Sequence, residues 1–309
     1  MDKAKETLHK VAHPVAETNT LRQQTQSGLE RDFDPKPTKV HQQSPGSDSK
    51  LALYTASGKL KGKRALVTGG DPGIGRSVAI LFAMEGAKVA ILYLPSEEDD
   101  AQQTKAQVEE NGTEALLIAT DLSHAVNCKD AVERANQVLG GIDILVNNAA
   151  TRQEQRSIKE ISDEQWSSTF RTNIDSYVLL TKAALPHLNP GATIINSASV
   201  DSYIGVPSRL DYTTSKGAVV AFTRALSNEL VKQGIRVNAV AAGPVWTPLA
   251  ATGVSKECQQ GHGLGNWTPM DRLSQPSEVA PAYVFLASSD SAFMSGQTLH
   301  PNGGIVVNG

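Results

Sequence analysis

From residue 58 onward, short apolar runs rich in β-formers alternate with longer amphipathic stretches, and this alternation sets most of what the chain can become. The runs fall at 64–68, 88–94, 115–119, 142–146, 193–197, 236–241 and 298–300. Between the first six lie stretches with helical spacing of apolar residues, at 74–85, 97–110, 125–139, 163–185 and 211–232. Strands apolar on both faces, each followed by a helix, predict an α/β fold with a doubly wound parallel sheet of about seven strands. The sequence has no internal repeat, so one domain over 58–309 is expected.

Composition sets the first 57 residues apart. Only 11 of them are Ile, Leu, Val, Met, Phe, Tyr or Trp, and these are scattered among Gln, Ser, Thr and Pro. Such a segment cannot bury enough apolar surface to offset its ordering entropy alone. It is read as an N-terminal extension over 1–57, either disordered or lying as an arm on another surface. Its seven acidic and eight basic residues make it nearly neutral, which argues against a polybasic tail.

The whole chain carries a formal charge of −3, so nucleic acid and anionic membrane are not expected partners. No apolar run approaches the roughly 18 residues of a spanning helix. The segment 1–5 lacks the apolar core of a signal peptide, and Asp2, Glu6 and Glu17 argue against a transit peptide. Cys128 and Cys258 are far apart and form no CxxC pair, which fits a reducing compartment. A soluble cytoplasmic protein is expected.

The first run leads directly into Thr68-Gly69-Gly70-Asp71-Pro72-Gly73-Ile74-Gly75-Arg76. The glycines let the backbone turn tightly and approach a pyrophosphate. The helix that opens near Ile74 aims its N–H groups and positive dipole end at the anion. A glycine cluster alone is a weak signal, but its place between a strand and a helix is the context a Rossmann-type dinucleotide site needs.

Tyr212 and Lys216 are four residues apart in a helical stretch, so their side chains share a face. A free tyrosine, with a pKa of about 10, exchanges protons poorly near neutrality. A nearby ammonium, together with an oxidised nicotinamide, would stabilise the phenolate and lower that value. Ser199 ends the fifth run and can hold a substrate oxygen. Taken singly, each residue has an ordinary structural reading: strand-end cap, core tyrosine, solvated lysine. Their order after these strands is what favours chemistry. The seven histidines form no ligand cluster, and no metal is expected.

The glycine spacing differs from the GxGxxG of long-chain dehydrogenases and is similar to the TGxxxGIG of the short-chain dehydrogenase/reductase family. Further motifs carry the resemblance over essentially all of 58–309. Asp121-Leu122 follows the third strand, where the family contacts adenine. Asn147-Asn148-Ala149-Ala150 stands where it has NNAG, and Gly243-Pro244-Val245 with Thr247 resembles its PG motif beside the nicotinamide. The chain looks closest to an N-terminally extended subgroup of general-stress or glucose/ribitol-type dehydrogenases. Tyr93-Leu94-Pro95, the acidic run 97–100, and Gly28-Leu29-Glu30 with Asp34-Pro35-Lys36-Pro37 in the extension carry that likeness. It favours an ordered arm packed on a neighbouring subunit. Ala150 and Ala242 depart from the family's glycine and proline, which implies altered loop geometry rather than loss of cofactor.

The resemblance implies a catalytic set of Asn173, Ser199, Tyr212 and Lys216. It implies cofactor contacts from Gly69, Asp71, Gly73, Ile74, Gly75, Tyr93, Asp121, Leu122, Asn148, Ala149, Tyr212, Lys216, Pro244, Val245 and Thr247. The reaction implied is reversible hydride transfer between a nicotinamide and a carbonyl or secondary alcohol of a small molecule. Tyr212 would exchange the proton, Ser199 hold the oxygen, Lys216 bind the nicotinamide ribose, and Asn173 retain a water that links the lysine to solvent. An acidic residue at the end of the second strand would select NAD. Tyr93 stands there instead, which leans toward NADP with NAD left open, and Arg76 is the nearest candidate for a 2′-phosphate.

The region 246–275 resembles a closing lid, with Trp246, Leu249, Trp267 and Met270 as lining and glycines at 253, 261, 263 and 265; an ordinary surface loop fits equally. Residues near Gln153 and Tyr203 are further candidates for the substrate region. The helices at 163–185 and 211–232 correspond to the family's interface pair, which implies a homotetramer or homodimer. Epimerisation or dehydration on the same scaffold, or non-catalytic nucleotide sensing, are the alternative readings.

Overall fold

The computed structural model describes residues 29–30, 33, 36–43, 51–251 and 268–308. Cys258, Trp267, the glycines at 253, 261, 263 and 265, and Gly28, Asp34 and Pro35 of the extension lie outside the described residues.

Two short strands, β1 (His41–Gln43) and β2 (Leu51–Leu53), pair antiparallel. The main chain then runs β3 (Arg64–Thr68), α1 (Gly73–Met84), β4 (Lys88–Tyr93), α2 (Glu98–Glu109), β5 (Ala115–Ala119), α3 (Ala125–Leu139) and β6 (Ile144–Asn147). It continues through α4 (Asp163–Phe170), α5 (Ser176–Ala184), β7 (Thr193–Ser197), α6 (Asp201–Ile204), α7 (Leu210–Leu230) and β8 (Arg236–Val240). Last come α8 (Pro248–Ala251), α9 (Pro276–Ala287) and β9 (Thr298–Leu299). β3 to β9 form one seven-stranded sheet in the order β5-β4-β3-β6-β7-β8-β9, with every neighbouring pair parallel. The order reverses between β3 and β6, and that switch point opens the crevice in which such sheets bind ligands.

The apolar runs are strands because both of their faces are covered. Val67, Ile91, Val146 and Ile195 pack toward α1 and α9, against Val78, Leu81 and Tyr283. Leu66, Leu92, Leu145 and Ile194 face α3, α5 and α7, against Val132, Leu180 and Leu226. Each fully buried aliphatic side chain of this kind contributes roughly 1.5–3 kcal/mol.

The sequence pattern and the structure differ at two helices. The stretch 163–185 is not one regular helix: a π-helical segment, Arg171–Asp175, joins α4 to α5. α9 is absent from the pattern because Pro281 sits inside it. A proline within a helix removes one N–H and orphans the carbonyl four residues back, here that of Ser277. Gln42 donates its Nε2 to that carbonyl at 3.2 Å, so the arm repairs what Pro281 breaks.

The described part of the arm lies on its own chain. Thr38 N–H donates to Gln275 Oε1 at 2.9 Å, Ser277 N–H to Thr38 O at 3.2 Å, and Ser277 Oγ to His41 O at 2.6 Å. Nearer the sheet, Glu85 accepts from Tyr54 OH at 2.5 Å and from the backbone N–H of Ser57 and Lys59. Replacing Gln42 by Leu should lower unfolding free energy by about 1–2 kcal/mol through the unsatisfied Ser277 carbonyl, measured by urea denaturation.

Candidate active site

At the end of β3 the chain turns through Gly69 and Gly73, both at positive φ (58° and 57°). α1 then passes so close to the strand end that a Cβ on Gly75 would sit 1.9 Å from Gly69 O, so only glycine fits there. Asn148, at the end of β6, clamps the turn: its Nδ2 donates to Thr68 O (3.1 Å) and Gly69 O (3.0 Å). In return, Thr68 Oγ1 accepts from the backbone N–H groups of Asn148 (2.8 Å) and Ala149 (2.9 Å). The first three amides of a helix have no intrahelical acceptor. Pro72 precedes α1, and Arg76 N–H already reaches Pro72 O, so Gly73, Ile74 and Gly75 carry those amides. Glu30 takes that of Gly73 at 2.8 Å, which leaves Ile74 and Gly75 at the mouth of the turn. A glycine cradle with outward amides at a positive helix end fits the pyrophosphate of a dinucleotide.

Ile74 also lines a cavity of about 100 Å³ together with Ser199, Tyr212, Pro244, Val245, Thr247 and Leu249. Tyr212 sits in the first turn of α7. Asp211 fixes the start of that helix by accepting from Thr169 Oγ1 (2.9 Å) and Gln165 Nε2 (3.0 Å) of α4. Ser199 follows β7, and Asp201 N–H donates to its Oγ at 3.1 Å. The Ser199 hydroxyl lies near enough to the Tyr212 phenol to favour its ionised form.

Asn173 lies in the π-segment, fully buried. Its Nδ2 donates to Thr151 O (2.9 Å) and Ser215 Oγ (3.0 Å), and its Oδ1 accepts from Thr151 N–H (2.8 Å). Single π-turns inside α-helices occur frequently at functional sites, and this one turns the Asn173 amide toward the segment after β6. Lys216 is likewise buried. Its Nζ donates to Ser197 O at 2.7 Å and Tyr177 OH at 3.2 Å, and lies 5.7 Å from the centre of the Tyr212 ring. The four predicted catalytic residues therefore converge on one end of the sheet.

Burial is the largest influence on the electrostatics of both Tyr212 and Lys216. Burial pushes the Lys216 ammonium down to about 7. Burial and the Asp201 carboxylate raise Tyr212, while the Arg152 guanidinium, the Ser199 hydroxyl and Arg209 oppose them. Arg152 and Arg209 line the same cavity. Arg209 is held by Glu154 Oε1 at 2.7 Å and Asp201 Oδ2 at 3.2 Å, and Arg152 Nη2 donates to Ala250 O at 3.0 Å. The spacing of Tyr212 and Lys216 gave no sign of these two arginines, which follow β6 and α6 in the chain.

Two expectations about the adenosine end also change. Arg76 is 3% exposed: Nη1 pairs with Glu30 (2.8 Å), Nη2 with Asp100 (2.8 Å), and Nε donates to Asp71 O (2.5 Å), so it does not face a 2′-phosphate. Tyr93 brings an acid to the strand end after all, because its hydroxyl donates to Glu98 Oε2 at 2.5 Å; burial and that carboxylate push it up to about 12. Leu122 packs into the core beside Cys128, while Asp121 accepts from Ser123 N–H at 2.9 Å. Trp246 is buried, and Met270 is exposed.

A family model described as enoyl-(acyl carrier protein) reductase matches residues 69–306. The chain belongs to the short-chain dehydrogenase/reductase family. Glucose and ribitol dehydrogenase of Daucus carota is 46% identical over 281 residues, covering 89% of this chain and 96% of that one. NADPH-dependent aldehyde reductase 1, chloroplastic, of Arabidopsis thaliana is 47% identical over 279 residues, covering 88% and 96%. The crystal structure of a short-chain dehydrogenase from Burkholderia cenocepacia J2315 in complex with NADP superposes with a TM-score of 0.73 at 31% identity, covering 80% of this chain and 98% of that one. The chain is thus an NAD(P)-dependent oxidoreductase acting on CH–OH or C=O groups.

Asp71 offers a pH test of the turn. Its side chain is fully buried against the Glu97 carboxyl, and burial followed by the Glu97 charge raises it well above the usual carboxylate range. The folded chain therefore holds a proton that the unfolded chain releases above about pH 4. That contribution is complete below the unfolded pKa and is lost as pH rises through the folded one. Asp71→Asn should remove the slope: as pH rises above about 4, the melting temperature of the wild type should fall relative to that of the variant.

Proposed function

We propose that the chain moves hydride reversibly between NADP(H) and a carbonyl or secondary alcohol of a small, polar molecule. The observation that carries this reading is the shared cavity: Ser199 and Tyr212 open onto the space that Ile74 of the phosphate turn also lines. The bound nicotinamide would supply or accept the hydride.

In the reductive direction, Ser199 Oγ holds the substrate oxygen while Tyr212 OH gives it a proton. The phenolate left behind is stabilised by Arg152 and Arg209, the cations whose fields reach it. A Lys216 ammonium poised near neutrality suits a group that passes protons, and Asn173, joined to Ser215 and Thr151, would hold the water through which the proton is restored. Ser199, Asp201, Arg209 and Tyr212 are all buried, which fixes the reacting groups in place.

Arg152, Asp201 and Arg209 make one wall of the cavity charged, which suits hydroxylated or otherwise polar carbonyl compounds better than apolar ones. The sugar-dehydrogenase and aldehyde-reductase names of the relatives agree with that class. Both the NADPH-dependent relative and the NADP-bound structure support NADP(H). With Arg76 engaged, Arg134 of α3 is the cation whose field reaches the Tyr93 hydroxyl. The division into a 1–57 arm and a 58–309 catalytic domain, a homotetramer or homodimer built through α4, α5 and α7, and a cytoplasmic location complete the reading. Among the described residues no helix is long and apolar enough to cross a membrane.

Tyr212→Phe should lower kcat about 10²- to 10⁴-fold while NADPH binding persists, measured by steady-state kinetics alongside fluorescence titration. Retained turnover would remove Tyr212 from its role. Glu98→Gln takes a carboxylate from the Tyr93 hydroxyl and should shift the ratio of NADPH to NADH affinity toward NADPH by about three- to tenfold. An unchanged ratio would place the 2′-substituent elsewhere.

A further inference from the structure

None of the steps above uses the buried charges beneath the phosphate turn. Glu30 is 3% exposed. Its Oε2 accepts from Gly73 N–H (2.8 Å) and Lys39 Nζ (2.5 Å), its Oε1 from Arg76 Nη1 (2.8 Å), and its own N–H donates to Asp100 Oδ2 (2.8 Å). Arg76 returns to the turn by donating to Asp71 O, so Glu30 reaches the turn along two routes. Three residues on, Phe33 is buried with its ring edge-on to Trp246, 5.2 Å between centroids. Trp246 precedes Thr247, and Thr247 packs on the turn itself: a Cβ on Gly73 would lie 3.1 Å from Thr247 Cγ2. The arm, the phosphate turn and the segment 245–247 thus meet at Gly73.

We propose that the arm is a working part of the dinucleotide site, with Glu30 as the positioning residue that holds the phosphate turn and Phe33 tying that turn to the wall of the substrate cavity. The Gly73 amide is one of three at the start of α1 with no acceptor inside the helix. By taking it, Glu30 fixes how the first turn of α1 is rotated and leaves the Ile74 and Gly75 amides for the pyrophosphate. A carboxylate at a helix start competes with a bound anion for the same positive end. Here Arg76 and Lys39 offset Glu30 and Asp100 one for one, so the brace adds no net charge against the cofactor. The Thr38 and Gln42 contacts to the start of α9 anchor the same arm on the other side of the turn. Loosening Glu30 would free the Gly73 amide and release the Arg76 guanidinium at once, with Thr247 and Trp246 the next contacts to feel it.

This proposal rests on the dinucleotide reading, and the test separates the two. Full-length wild type, Glu30→Gln and Asp143→Asn are titrated with NADPH and NADH by fluorescence, and each melting temperature is recorded. Asp143 pairs with Arg64 at the opposite end of β3, so its variant controls for a general loss of stability. Glu30→Gln should weaken NADPH binding about tenfold, whereas Asp143→Asn should lower the melting temperature and leave affinity unchanged. Equal affinities for wild type and Glu30→Gln, or equal weakening in both variants, would overturn the proposal. Should Glu30→Gln fail to fold, amide exchange on the wild type decides: NADPH should slow exchange at Glu30, Phe33 and Thr38 together with 69–76, and slowing confined to 69–76 overturns it. A wild type that binds neither nucleotide would overturn the dinucleotide reading, and this proposal with it.

Discussion

The contact that organises this molecule is the approach of α1 to the end of β3, where no side chain fits between Gly75 and Gly69 O. That approach puts the positive end of α1 at the switch point of the sheet, the one place where neighbouring crossovers diverge and leave room for a ligand. It is held from both sides. Asn148 and Thr68 close it from the strand side with four hydrogen bonds, and Glu30 and Arg76 close it from the arm side. Because Ile74 sits in this turn and also lines the cavity of Ser199 and Tyr212, the geometry of nucleotide binding and the geometry of proton transfer are set by the same few residues.

Burial is the second constraint. Tyr212 and Lys216 both lie out of water, and burial pushes them in opposite directions, the phenol up and the ammonium down. Each shift favours the neutral form, so the pair is unlike an exposed Tyr–Lys couple in which the full ammonium charge would stabilise a phenolate. Arg152, Ser199 and Arg209 restore part of that stabilisation from the substrate side of the phenol. Arg152 and Arg209 therefore do two things at once: they oppose the rise that burial and Asp201 impose on Tyr212, and they help give the cavity its polar character.

Local patterns were legible in the sequence, whereas pairings over long separations were not. The β-rich runs give all seven strands of the sheet to within a residue or two, because burial on both faces leaves a continuous apolar signature. The turn at 69–75 and the residues Asn173, Ser199, Tyr212 and Lys216 can be read because each is tied to a strand end or to a fixed helical spacing. Arg76 was misread for the opposite reason: its partners Glu30 and Asp100 stand 46 and 24 positions away, and no local spacing relates them. Glu98 was overlooked because it reaches Tyr93 through a hydroxyl rather than by standing at the strand end itself. α9 stayed hidden because of its internal proline, whose missing N–H is offset at the Ser277 carbonyl by a donor that Gln42 brings from the distant arm.

The most direct test of the account is isotope transfer. The full-length protein is given NADPH deuterated at C4 of the nicotinamide and a panel of short polar aldehydes and hydroxyketones, and the alcohols formed are weighed by mass spectrometry. The account predicts alcohols that carry the deuterium in proportion to NADPH consumed. Products that form with no NADPH consumed, or alcohols that lack the label, would contradict it and point to redox-neutral chemistry on the same scaffold.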